Sequence, residues 1–105
     1  MRRLLVGVVL LSGCTWSNSL YQARRLAAEG EAAARSGQPF EAQRAWDLAG
    51  VKADSAFARA RGVGRGAAEA LWVRGRSEAR RPDCPAAIAT LEQALIAYPD
   101  APWRE

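Results

Sequence analysis

Histidine is absent from the 105 residues. That removes the usual acid–base group at neutral pH and the commonest metal ligand. Cysteine occurs twice, too few for a disulfide framework. No apolar run approaches the roughly 20 residues that a membrane-spanning helix needs. Charge of one sign is in short supply as well. The formal charge is +4, and it falls to +2 when Arg2 and Arg3 are set aside, too weak a surplus to argue for nucleic acid as a partner. With no histidine base, no metal-ligand set and no paired thiol, the chain reads as non-catalytic. What remains is a chain of one small domain's length. It is half hydrophobic residues, much of that alanine, so each helix has little area to bury.

The N-terminus carries the sharpest pattern. Met1-Arg2-Arg3 is a short basic flank, and Leu4 to Leu11 is an apolar run of eight residues. A run of that length fits the h-region of a secretory signal peptide, here residues 1–13, and is too short to cross a bilayer. Leu11-Ser12-Gly13-Cys14 then resembles the bacterial lipobox, an apolar residue and two small ones before cysteine. The resemblance implies a diacylglyceryl group on the Cys14 thiol, cleavage before Cys14 and acylation of the new amine. This covalent lipid is the only non-protein group expected. Several acyl chains give lasting attachment where one chain is marginal. Thr15 stands where an aspartate would commonly retain such a protein at the inner membrane. The resemblance therefore implies an outer-membrane location facing the periplasm. The plainer readings are a signal peptide with a coincidental cysteine, or a short buried helix. Arg2-Arg3 lacks the surrounding pattern of a twin-arginine signal. Residues 14–19 read as the lipidated cysteine and a polar tether, in which Trp16 either rests at headgroup level or has no role.

Beyond the tether the rhythm is helical throughout. Ser19-Leu-Tyr-Gln22 has the form of a capping box and predicts a helix from Leu20. Its apolar side is Leu20, Ala23, Leu26, Ala27, Gly30 and Ala33 or Ala34, and it ends at Ser36-Gly37. Pro39 opens a second helix at a position where a missing N–H costs nothing. That helix runs to Ala49 or on to Arg61, with Gly50 a place where it could break. Gly62-Val-Gly-Arg-Gly66 predicts a linker over 62–66. As a phosphate cradle it lacks the lysine–threonine pair and a preceding strand, so a plain turn is the simpler reading. A third helix over 67–80 turns Ala68, Leu71, Trp72 and Gly75 inward. Asp83 or Cys84 caps a fourth, with Pro85 in its first turn, Ile88, Leu91, Ala94, Leu95 and Tyr98 lining it and Pro99 as its stop. Residues 100–105 form a tail.

Two stretches match at an offset of 45. Ala42, Trp46 and Ala49 fall on one helix face, and so do Ala87, Leu91 and Ala94. Gly30 and Gly75 precede them at the same spacing. This series resembles the tetratricopeptide repeat, whose helix A carries a small residue and whose helix B carries alanines around an aromatic. The resemblance implies an all-α fold of two antiparallel helix pairs, residues 20–61 and 67–99, stacked as a short right-handed solenoid. Glu29 and Arg74 depart from the repeat, standing where it has a large apolar residue, and Glu78 stands where it prefers an aromatic. The period departs too, exceeding the usual one of about 34. The surplus is close to three helical turns, which longer helices absorb in phase.

The resemblance further implies that helices A line a concave peptide-binding surface. There Arg35, Trp72, Arg76 and Arg80 would form a basic surface with one aromatic, suited to an acidic or C-terminal peptide. The alternative is a solvated arginine face with Trp72 buried in packing. Two repeats also leave an apolar side of the last helix for another protein or a second copy to cover. The leading reading is a lipid-anchored envelope scaffold that holds a protein partner. The alternatives are a small envelope thiol or redox factor working through Cys84, or an unanchored adaptor. Cys84 itself is either a reactive thiol at a helix start or a small apolar residue in a turn.

Overall fold

The computed structural model describes residues 2–81 and 83–100, with residues 2–17 as backbone alone. It contains four helices, α1 (Arg2–Arg35), α2 (Pro39–Arg59), α3 (Gly64–Arg80) and α4 (Cys84–Ala97), and no strand among the described residues. Each helix packs on the next in the chain, and α1 also touches α3. The fold is therefore all-α, with short turns that reverse the chain at each end.

The turns follow from local chemistry. Gly37 sits at φ 71, the left-handed region open to glycine. Its N–H reaches the Ala34 carbonyl while that of Gln38 reaches Ala33, the Schellman arrangement that closes a helix. Pro39 then starts α2. Arg61 and Gly62 repeat the same closure on the Ala58 and Phe57 carbonyls. Here the left-handed position is held by Arg61 at φ 57, which costs a residue with a Cβ about 1–2 kcal/mol. At α4 the choice of cap is settled: the Asp83 carboxylate accepts from the Ala86 N–H at 3.3 Å.

Three local expectations need correction. α1 does not start at Leu20, because the helix is continuous through residues 14–19. No proline or glycine pair interrupts that stretch, and extending a helix costs far less than nucleating one. Ser19 accepts a hydrogen bond from Arg59 at 2.5 Å instead of acting as a start signal. The linker is shorter than 62–66, because Gly64 and Gly66 already belong to the first turn of α3. Trp72 is only half-buried, while Ala70, Val73 and Ser77 take the inner face of α3.

Among the described residues, alanine supplies twelve of the sixteen buried apolar ones; the others are Leu20, Trp46, Leu71 and Val73. Small side chains let backbones lie close, and each of the few large ones buries far more than a single alanine. Trp46 is seated against Gly30, where a Cβ would stand 2.6 Å from the indole. In the second pair Leu91 is seated against Gly75, with a Cβ 2.5 Å from the Leu91 methyl. Each large residue of a B position thus meets the glycine of its own pair.

Gly50 does not break α2. Its missing side chain admits Ser77, whose hydroxyl donates to the Trp46 carbonyl at 2.6 Å in a buried setting. Helix propensity alone favours Gly50→Ala by about 1 kcal/mol. The new Cβ would however lie 2.6 Å from Ser77 Oγ, and crowding of a packed contact costs about 1–3 kcal/mol. Gly50→Ala is expected to lower stability in urea melts. Gly50→Ala combined with Ser77→Ala is expected to recover part of that loss.

Candidate partner-binding surface

α1 and α3 run side by side and present one charged face. Residues 45 apart meet across it: Arg24 donates two hydrogen bonds to the Glu69 carboxylate, and Arg76 donates to Glu31 at 2.9 Å. The repeat offset therefore pairs equivalent positions of α1 and α3, with the signs of charge exchanged. Hydrogen bonding to Glu69 raises the Arg24 pKa above its ordinary value, and the Glu69 charge adds to this while burial opposes it. Arg24 thus stays charged at any working pH.

Glu31 is the centre of the lower half of this face. Its Oε1 also accepts from Arg80 at 3.0 Å, and its other oxygen lies 3.9 Å from Arg35. Arg76 and Arg80 stack over the Trp46 ring at 5.1 and 5.5 Å, and Arg76 lies 5.9 Å from Trp72. Three guanidiniums share one carboxylate, which leaves a local surplus of two positive charges. Arg35 is the most open of them, with 72% of its side chain exposed. A cavity of about 440 Å³ opens beside Arg80, lined by Ala34, Gly37, Pro39, Ala42, Gln43 and Trp46. Such a surface offers guanidinium donors at an apolar recess, a combination that suits a carboxylate next to an apolar group.

The structure thus brings Arg35, Trp72, Arg76 and Arg80 to one place. Sequence reading missed Glu31 as the hub of this face, along with the Trp46 ring as the platform under the arginines. The signal was present in the 45-residue offset that links Glu31 to Arg76 and Arg24 to Glu69. On the other side of α3, Arg74 donates to Asp54 at 2.8 Å and lies 3.4 Å from Glu78, which accepts from Thr90 at 2.7 Å. These are the two α3 positions that depart from the repeat, and they neutralise one another.

Cys84 is exposed at the start of α4 with no disulfide partner among the described residues. The side chains of Cys14 and Trp16 and the tail beyond Asp100 lie outside the described residues. Among those described, no helix is long and apolar enough to cross a membrane, and no cluster of three candidate ligands could hold a metal ion. α4 turns Ile88, Leu95 and Ile96 outward, the last 81% exposed, and buries only Ala87, Thr90 and Ala94. No protein-family model, curated protein or solved structure matches the chain.

Proposed function

We propose that this chain is a lipid-anchored, non-catalytic lipoprotein of the bacterial envelope. Its tetratricopeptide-like helix pairs hold a protein partner near the membrane. The attachment rests on Leu11-Ser12-Gly13-Cys14 behind a basic flank and an apolar run. The likeness to the repeat is supported by the seating of Trp46 on Gly30 and of Leu91 on Gly75. The observation that carries the binding role is the set of three arginines that share Glu31 beside the Trp46 recess. The favoured ligand is an acidic or C-terminal peptide segment of an envelope protein. The outward apolar residues of α4 add a second adhesive surface, for a partner or another copy.

The test uses charge in both directions. A fluorescent acidic peptide ending in a leucine carboxylate is titrated into the purified chain. Arg76→Glu with Arg80→Glu is expected to weaken binding at least about tenfold, since charge-assisted bonds contribute about 1.5–3 kcal/mol each. Glu31→Gln removes the internal competitor and keeps all three arginines, so it is expected to tighten binding several-fold. Glu31→Gln that weakens binding as the double reversal does would show that only the fold has been disturbed, and would sink the assignment.

A further inference from the structure

One end of the helix stack holds a strained arginine, Arg61 at φ 57, and that end lies close to Cys14. Arg59 donates to Ser19, so the α2–α3 turn stands level with Ser19 on α1. Cys14 precedes Ser19 by five residues within the same helix, about 7.5 Å along its axis at 1.5 Å per residue. The headgroup layer of a bilayer leaflet is itself roughly 5–7 Å deep. An anchor at Cys14 therefore holds this turn within side-chain reach of lipid headgroups.

The turn is built for that neighbour. Between Asp54 and Glu69 the chain carries Arg59, Arg61 and Arg65 and no acid. Arg61 and Arg65 are exposed, and Val63 between them is 73% exposed. Tyr98, at the end of α4, donates its hydroxyl to the Gly62 carbonyl and fixes the turn's backbone. Arg61 occupies a left-handed position, φ 57, that a glycine fills without strain. A cation kept at a strained site points to work for that cation.

We propose that the turn Arg61–Arg65 is a second membrane contact. Arg61 and Arg65 pair with the phosphates of anionic phospholipids, and Val63 enters the interface between them. The contact acts through side-chain charge, and the backbone glycines serve only to shape the turn. It would hold the stack upright on the bilayer, with the Glu31 cluster, which lies toward the opposite end, directed away from lipid. The proposal rests on the anchored reading above through the position of Cys14.

The experiment is arginine footprinting of the full chain on vesicles. Protein made in bacteria is reconstituted into vesicles of phosphatidylcholine alone or with phosphatidylglycerol. It is then treated with phenylglyoxal and mapped by peptide mass spectrometry. Each arginine near an anionic surface gains about 1 kcal/mol, or about fivefold in affinity. Arg61 and Arg65 are each expected to react about fivefold more slowly on the anionic vesicles, while Arg35 at the far end reacts equally on both. Equal reactivity of Arg61 and Arg65 on the two vesicles overturns the proposal. The same digest reads the mass on Cys14. Acylated Cys14 without protection ends the second contact and leaves the anchor, whereas protection with a bare Cys14 ends the anchor and leaves the contact. Arg61→Gly adds a split signature: the melting temperature rises as strain is relieved, while protection of Arg65 falls. A variant that keeps wild-type protection of Arg65 removes Arg61 from the contact.

Discussion

Trp46→Ala is expected to cost the fold about 3–5 kcal/mol, the range for removing a buried aromatic side chain. For a domain of this size, whose total stability is of order 5–15 kcal/mol, that loss comes near to unfolding it. The reason lies in the composition of the core. Alanines form most of it and lose little when repacked. Trp46, 2% exposed, fills the space they leave and is the largest member of a buried cluster with Ala23, Ala27, Ala49, Ala53 and Val73. The neighbouring alanines cannot fill the gap, because their side chains are too short to reach into it. The same truncation withdraws the ring beneath Arg76 and Arg80, so binding at the Glu31 cluster falls with stability. Urea denaturation followed by circular dichroism reads the first effect. A loss under about 1 kcal/mol would mean that the core closes around the vacancy, contrary to the packing argument. Gly30→Ala probes the contact from the other side. Its Cβ meets the indole at 2.6 Å, and a packed ring has no room to yield, so overpacking costs about 1–3 kcal/mol.

This contact also shows which parts of the structure are legible in the sequence. Gly30 with Trp46, and Gly75 with Leu91, follow from helical spacing and the 45-residue offset, because small and large residues at fixed steps encode close approach. The caps at Gly37, Pro39 and Asp83 are legible for the same reason: each depends on a residue's own backbone or side-chain chemistry. Ser19 misleads because a cap signal is local while a helix is cooperative, and its stretch contains no residue that forbids continuation; Gly62 does lie in the turn, whereas Gly64 and Gly66 are taken up by the first turn of α3. Trp72 misleads because one step of periodicity, from Trp72 to Val73, separates the edge of α3 from its inner face. Glu31 is opaque to a local reading. Alone on α1 it is one more solvated acid, and only the approach of α3 surrounds it with Arg76 and Arg80.

The offset also shows how the outer face of α4 differs from that of α2. α3 settles on α2 over Ala49, Gly50 and Ala53, where small residues let the backbones approach and Ser77 enter. The same positions on α4, 45 residues later, are Ala94, Leu95 and Tyr98. Leucine replaces the glycine that admits Ser77, and Tyr98 folds back onto the Gly62 carbonyl. A further helix therefore cannot dock on α4 as α3 docks on α2. Ile88, Leu95 and Ile96 face outward as a surface of different shape.

Cys14→Ser is expected to abolish lipid attachment altogether, the largest functional change that any single substitution in this chain should produce. Each acyl methylene buried in the bilayer contributes about 0.8 kcal/mol, so two or three chains together hold a protein in place where one gives only reversible binding. Serine cannot replace the cysteine, because its hydroxyl lacks the nucleophilicity of sulfur toward the diacylglyceryl donor. Cleavage before residue 14 should fail along with acylation, so the variant should migrate at the mass of the uncut chain. The apolar run it retains, Leu4 to Leu11, spans about 12 Å as a helix, less than half of a hydrocarbon core of about 30 Å. That segment leaves the variant removable by salt and alkaline washes that do not release the wild type. Metabolic labelling with a radioactive fatty acid should mark the wild-type band and leave the Cys14→Ser band unmarked. Fatty-acid label that persists in the variant, or that never enters the wild type, would remove the anchor. The Glu31 cluster would then have to be tested as the binding surface of an unanchored adaptor.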